Sequence, residues 1–222
     1  MPGRIYVGVD FSLNSPAFCC FTDSKFHWGS LTRSDRTFES LTKTKDKPYS
    51  VLFGMEDFSL LFLDKKEMPS EYSQKERIKI DYFLELVEVF WSEIEKNLQD
   101  SSEVFLAMEG LSFASNGNAL IDISMATALL RERIVNKIGS SNFWVFSPTS
   151  VKKFAVKGNA KKDELYHAIL NKKLPGTNFS QFTNILQTHK ENWITNSGNV
   201  NKPLDDIIDA SWICLYLMEN EQ

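Results

Sequence analysis

Two apolar runs in this chain each end in a carboxylate, and no other feature restricts its folding as strongly. Asp10 closes Ile5-Tyr6-Val7-Gly8-Val9-Asp10, and Glu109 closes Val104-Phe105-Leu106-Ala107-Met108-Glu109. Both runs read as hydrophobic strands. Two further acids, Asp206 and Asp209, stand one turn apart in an apolar helix expected from Leu204 to Met218. A carboxylate is costly to bury unless it is paired or bound to a metal. Two that terminate hydrophobic strands and two on a hydrophobic helix therefore imply a common cation site.

The surrounding pattern gives these acids a scaffold. Residues 4–10 and 17–22 read as strands on either side of Asn14-Ser15-Pro16, and 25–32 as a third, which makes an antiparallel meander. From about 34 to 73 the periodicity degrades, and this segment reads as an insertion of uncertain structure. Ile80, Phe83, Leu84, Val87, Phe90, Trp91 and Ile94 recur at three and four and predict a helix over about 74–99. Strand 103–108 leads to Glu109, and a loop with Gly110, Asn116, Gly117 and Asn118 opens a helix over about 119–138. Strand 143–147 precedes Pro148, which suits a helix start. Gly158-Asn159-Ala160 opens another helix to about Lys172, a further helix is possible at 178–188, and the Leu204 helix closes the chain.

With 222 residues this pattern predicts one α/β domain over 1–222. Its sheet is expected to be mixed and five-stranded, an antiparallel meander plus parallel strands, with helices on both faces. In such sheets chemistry gathers at the carboxyl ends of the strands, where Asp10 and Glu109 both lie.

Composition removes several classes. The 42% hydrophobic and 24% charged content is that of an ordinary soluble domain. No run of about 18 apolar residues occurs, so no membrane span is expected, and Met-Pro-Gly-Arg is no secretory opening. Cys19, Cys20 and Cys214 are odd in number and lack C-x-x-C spacing, which argues against disulfides and zinc and for a reducing cytoplasm. The net charge of −4 hides an asymmetry: residues 131–173 carry ten Lys/Arg against three acids. Such a tract suits either a groove that follows phosphates or a solvated pair of helical faces.

The residues resemble the RuvC group of Holliday-junction resolvases, within the ribonuclease H-like nucleases. Gly8-Val9-Asp10-Phe11-Ser12-Leu13 is similar to that family's first strand end, and Ala107-Met108-Glu109 with Phe113 to its second catalytic strand and aromatic-bearing loop. Phe146-Ser147-Pro148-x-x-Val151-Lys152-Lys153 and Gly158-Asn159-Ala160-Lys161-Lys162 resemble its lysine-bearing segments, and Asp206-Ile207-Ile208-Asp209-Ala210 its closing helix. The blocks run in the family's order over residues 4–217. Ala17 replaces a usual Gly, and the 34–73 segment is longer than the family's minimal form.

The resemblance implies a ribonuclease H-like fold and a metal-dependent endonuclease that resolves four-way or branched DNA in the cytoplasm of a bacterium or phage-infected host. Two Mg²⁺ ions about 4 Å apart, for which Mn²⁺ could substitute, clamp the attacking and leaving oxygens in such enzymes. Asp10 would bridge both ions, with Glu109, Asp206 and Asp209 completing the shell, and Asp205 competes with Asp206 for its place. Lys162 and Lys152 or Lys153 match positions near the scissile phosphate. Arg131, Lys157 and Lys161 read as further DNA contacts or as surface. Phe113 either stacks at a strand exchange point or belongs to the core. Ile121, Met125, Ala128, Leu129 and Val135 form a core face or a self-association face, and the family implies a homodimer. Two alternatives stay open: a non-catalytic branched-DNA-binding protein and an RNA·DNA-hybrid ribonuclease of the same fold.

Overall fold

A computed structural model describes residues 3–33, 48–98, 103–111, 117–195 and 199–221. Three strands follow one another in antiparallel pairing: β1 (Arg4–Asp10), β2 (Ala17–Thr22) and β3 (Lys25–Thr32). Asp23 and Ser24 form the tight β2–β3 connection with positive φ angles of 47° and 66°. That backbone matches the twist of the flanking strands, which is why two-residue hairpins favour it.

Three more strands complete a mixed sheet. β4 (Phe58–Phe62) runs parallel to β3, β5 (Glu103–Glu109) parallel to β1, and β6 (Phe143–Phe146) parallel to β5. The order is β4-β3-β2-β1-β5-β6, so among the described residues the sheet has six strands and not the five expected. The extra strand comes from the segment read as an insertion. Phe58-Ser59-Leu60-Leu61-Phe62 lacks the alternation of a half-buried strand, and it is recruited by the free edge of β3. Ser59 Oγ donates to Glu93 Oε1 at 2.7 Å, which ties this edge to a helix.

Alternation along the strands divides the core. Ile5, Val7 and Val9 of β1 point to one face with Phe18 and Cys20. Helices α2 (Tyr72–Glu95) and α3 (Gly117–Ile138) cover that face, following α1 (Pro48–Leu52) in the chain. Phe83, Leu86, Val87 and Phe90 of α2 and Ala126, Leu130 and Ile134 of α3 form their buried stripes at helical spacing. Tyr6, Cys19, Trp28 and Phe105 point to the opposite face.

That second face is covered by α4 (Pro148–Ala155), α5 (Lys162–Asn171), α6 (Phe179–Thr188) and, after α7 (Lys190–Trp193), α8 (Leu204–Asn220). Trp28 stacks on Phe182 at 4.5 Å between ring centroids, and its Nε1 donates to Ser211 Oγ at 3.1 Å. Each large side chain buried this fully contributes about 1.5–3 kcal/mol of transfer free energy. The three cysteines are free and buried. No described helix is long and apolar enough to cross a membrane.

Helix α8 and strand β1 meet backbone to backbone. A Cβ added at Gly8 would lie 2.2 Å from the Cys214 nitrogen and 2.4 Å from the Ala210 oxygen. Only glycine permits this approach, and it carries the first turns of α8 to the carboxyl end of β1.

Candidate active site

The parallel pairing of β1 and β5 sets Val9 opposite Met108, so the next residues, Asp10 and Glu109, end the two strands side by side. The Gly8 contact brings Asp206 and Asp209, both in the first half of α8, to the same edge. Asp10 is half-buried, and its pKa is raised well above the carboxylate range. Burial is the largest cause, followed by the charges of Asp209, Asp206 and Glu109, with Lys162 partly offsetting them. Burial and Asp209 push Glu109 up to about 7 against the pull of Lys152 and Lys162. The four acids thus act on one another through a shared, poorly solvated region.

Each helix acid has its own cation. Asp206, 4% exposed, accepts from Ser15 Oγ at 2.6 Å and from Lys202 Nζ at 2.8 and 3.1 Å. Burial still raises its pKa, with Lys202 and Ser15 restraining the shift. Asp209 is in close contact with Lys162, whose ammonium also pairs with Asp205 Oδ1 at 2.9 Å. Burial works against the charged form of Lys162, and the two aspartates outweigh it, so its pKa is raised.

Between Asp10 and Glu109 opens a pocket of about 170 Å³, lined also by Phe11, Leu120, Ile123 and Thr127. Thr127 is 3% exposed, and its hydroxyl has no hydrogen-bond partner among the described residues. A buried hydroxyl left unpaired costs about 1–3 kcal/mol, and such groups usually face an ion, a water or a ligand.

The sequence matches no protein-family model and no curated protein. Whether a divalent ion suits this place is therefore a matter of its own donors. Four carboxylates supply the hard oxygens that magnesium takes. Burial first, and neighbouring acids second, raise their pKa values, so a cation would be favoured here, and Thr127 offers an unpaired oxygen beside Asp10 and Glu109. In chemistry the donor set fits. As the side chains stand, no three Asp, Glu, His or Cys residues among the described ones are grouped so as to hold an ion. Lys162 and Lys202 occupy the oxygens of Asp209 and Asp206 instead.

The other expected contacts are scattered. Lys152, half-buried on α4, lies near enough to lower the Glu109 pKa, while Lys153 is exposed. Lys157 pairs with Glu164 at 2.5 Å. Lys161 is exposed at the start of α5, and its backbone N–H donates to Glu164 Oε2 at 2.8 Å. Arg131 lies on α3, across the sheet from α4 and α5, as do Arg133 and Lys137, which pair with Glu88 and Glu95 of α2 at 2.7 and 2.9 Å. The basic tract is thus split between two faces, and part of it joins helices to each other. Phe113 lies outside the described residues.

Sequence reading missed Ser15, Thr127 and Lys202. Lys202 and Asp206 are four apart at a helix start, a spacing that could have revealed the pair. Ser15 is 191 residues from Asp206 and carries no such signal.

Proposed function

We propose that this chain is a ribonuclease H-like, RuvC-related, metal-dependent endonuclease that cuts branched or four-way DNA as a homodimer. The observation that carries the reading is that Asp10 and Glu109 stand at the carboxyl ends of two adjacent parallel strands, with Asp209 near enough to raise the pKa of both. Carboxylates whose pKa values are raised by burial and by one another are costly to a fold and are characteristic of functional sites.

Asp10, Glu109 and Asp209 would hold Mg²⁺ or Mn²⁺, with Asp206 beside them. When bound, the metal supplies an activated water and neutralises the leaving oxygen. The chain's own residues prepare the place. Ser15 and Lys202 fix Asp206 and with it the first turn of α8. Lys162, held by Asp205 and Asp209, presents a charged ammonium to a phosphate oxygen, and Lys152 adds a second beside Glu109. Phe11, Leu120 and Ile123 narrow the pocket and limit water around the acids. Symmetrical cutting of opposed strands needs two such sites. Ile121 and Met125 of α3, exposed at 58% and 40%, together with Ile80 and Leu84 of α2 at 44% and 47%, support a self-association face.

A second reading, a branched-DNA-binding protein without catalysis, is favoured by one observation: lysines already neutralise two of the acids. Synthetic four-way junctions with Mg²⁺ separate the two. Wild-type protein is expected to release paired nicks, and Asp10→Asn or Glu109→Gln to lower the rate by at least about a hundredfold while retaining binding. Binding without cutting, together with no Mn²⁺ uptake in calorimetry, would establish the second reading. RNA·DNA hybrid offered in the same assay tests the ribonuclease alternative.

A further inference from the structure

We propose that a second anion site, built from Arg33, Lys65 and Lys202, lies beside the carboxylates and takes a backbone phosphate of the DNA strand flanking the cut. It rests on the nuclease reading and adds to it a place where the substrate is gripped.

The three cations line one cavity of about 460 Å³, with Asn14, Ser15 and Thr32 among its other walls and no acid among the described residues that line it. They come from distant parts of the chain, at the end of β3, in the segment after β4 and just before α8, and none belongs to the basic tract at 131–173. Two are held in place before any ligand arrives. The Arg33 guanidinium lies 4.2 Å from the Tyr82 ring centroid and donates through Nη1 to Leu13 O at 3.0 Å and Asn14 Oδ1 at 3.2 Å. Its Nε is buried without a hydrogen-bond partner among the described residues. Lys202 is anchored by Asp206 and contacts Ser15 Oγ at 3.2 Å. Lys65 is exposed at the rim.

Fixed cations around an open cavity recognise a compact, multiply accepting anion. A phosphodiester meets that description, and arginine's planar donors suit its paired oxygens. Ser15 belongs both to this cavity and to the hydrogen bond on Asp206, so the two sites share a wall. A strand with one phosphate here would present a neighbouring phosphate to the carboxylates.

The test is junction binding in chelator, where nothing is cut, measured by fluorescence anisotropy across a salt series. Loss of one phosphate contact should reduce the slope of log affinity against log salt by about 1. Lys65→Ala is expected to show that reduction with unchanged Mn²⁺ binding. Lys96→Ala, in the segment leading toward the amino end of β5, should leave the slope unaltered. Arg33→Ala should act as Lys65→Ala does, and because Arg33 also packs on Tyr82, the exposed Lys65 decides the matter if that variant fails to fold. An unchanged slope in Lys65→Ala, or equal reductions in Lys65→Ala and Lys96→Ala, overturns the pocket while the nuclease reading stands. Inorganic phosphate that binds wild-type but not Lys65→Ala protein, yet displaces no junction DNA at constant ionic strength, would show a free-phosphate site and overturn the backbone assignment. Wild-type protein that binds no junction removes the nuclease reading itself, and this inference with it.

Discussion

Asp206 and Asp10 meet burial in opposite ways. Asp206 is nearly inaccessible, yet Ser15 and Lys202 satisfy its oxygens. Asp10 faces Asp209, Asp206 and Glu109, and Lys162 offsets them only partly. Substitutions should therefore have opposite signs. Ser15→Ala removes a buried hydrogen bond to a charged group and should cost about 1.5–3 kcal/mol. Asp10→Asn relieves repulsion and should stabilise the metal-free protein by about 1 kcal/mol at pH 8, while abolishing the proposed cutting. Thermal melts in chelator would record both, at about 2–4 °C per kcal/mol for a chain of this size. The same contrast explains what could be read in advance. Asp10, Glu109, Asp206 and Asp209 are visible because each breaks a hydrophobic pattern. Ser15, Arg33 and Lys65 break none, and they gain meaning only when folding brings them to one cavity whose Ser15 wall reaches Asp206.

At the scale of elements, the seat of α8 on β1 decides the geometry of the site. A methyl group at Gly8 would meet backbone atoms of Ala210 and Cys214 that no rotamer change can move aside. Gly8→Ala should cost about 1–3 kcal/mol or more by overpacking. It should also weaken Mn²⁺ uptake in calorimetry more than an equally destabilising change elsewhere in the core, because it separates Asp209 from Asp10. Lost stability with unaltered uptake would show that the helix can shift without disturbing the acids. The longer helices were legible from apolar spacing, as in Phe83, Val87 and Phe90, or from Pro and Gly starts, and the first three strands from clustered β-branched and aromatic residues. However, α3 buries Ala126, Leu130 and Ile134, not the expected face of Ile121, Met125, Ala128, Leu129 and Val135, and α1 and α7 were not foreseen. Nor was β4, since Phe58–Phe62 is a strand only through its partner β3 and its tie to Glu93. The mixed direction was legible from the short link at Asn14-Ser15-Pro16 and from the alternation of the later strands with helices. The strand order depends on long-range pairing that no local pattern encodes.

For the whole molecule, the raised carboxyl pKa values become a dependence of stability on pH. Glu109 moves from an ordinary 4.5 to about 7 on folding, so between those values the native state holds the additional proton. Stability from this group is complete below about pH 4.5 and is lost as pH rises through about 7. Asp10, Asp206 and Asp209 shift in the same direction and add to the trend. Metal-free protein should melt at a lower temperature at pH 8 than at pH 5.5, and Mn²⁺ should restore much of the difference at pH 8 by binding the folded form. A melting temperature that rises across that interval without metal would count against crowded carboxylates. The contact at Gly8 has one more consequence. Because strand and helix rest on each other through main-chain atoms, their spacing behaves as a hard stop and not as a cushion of side chains. Drift in the surrounding interior can then erode robustness while the alignment of the carboxylates is left intact, which gives this architecture room to diverge in sequence and keep its acids in place.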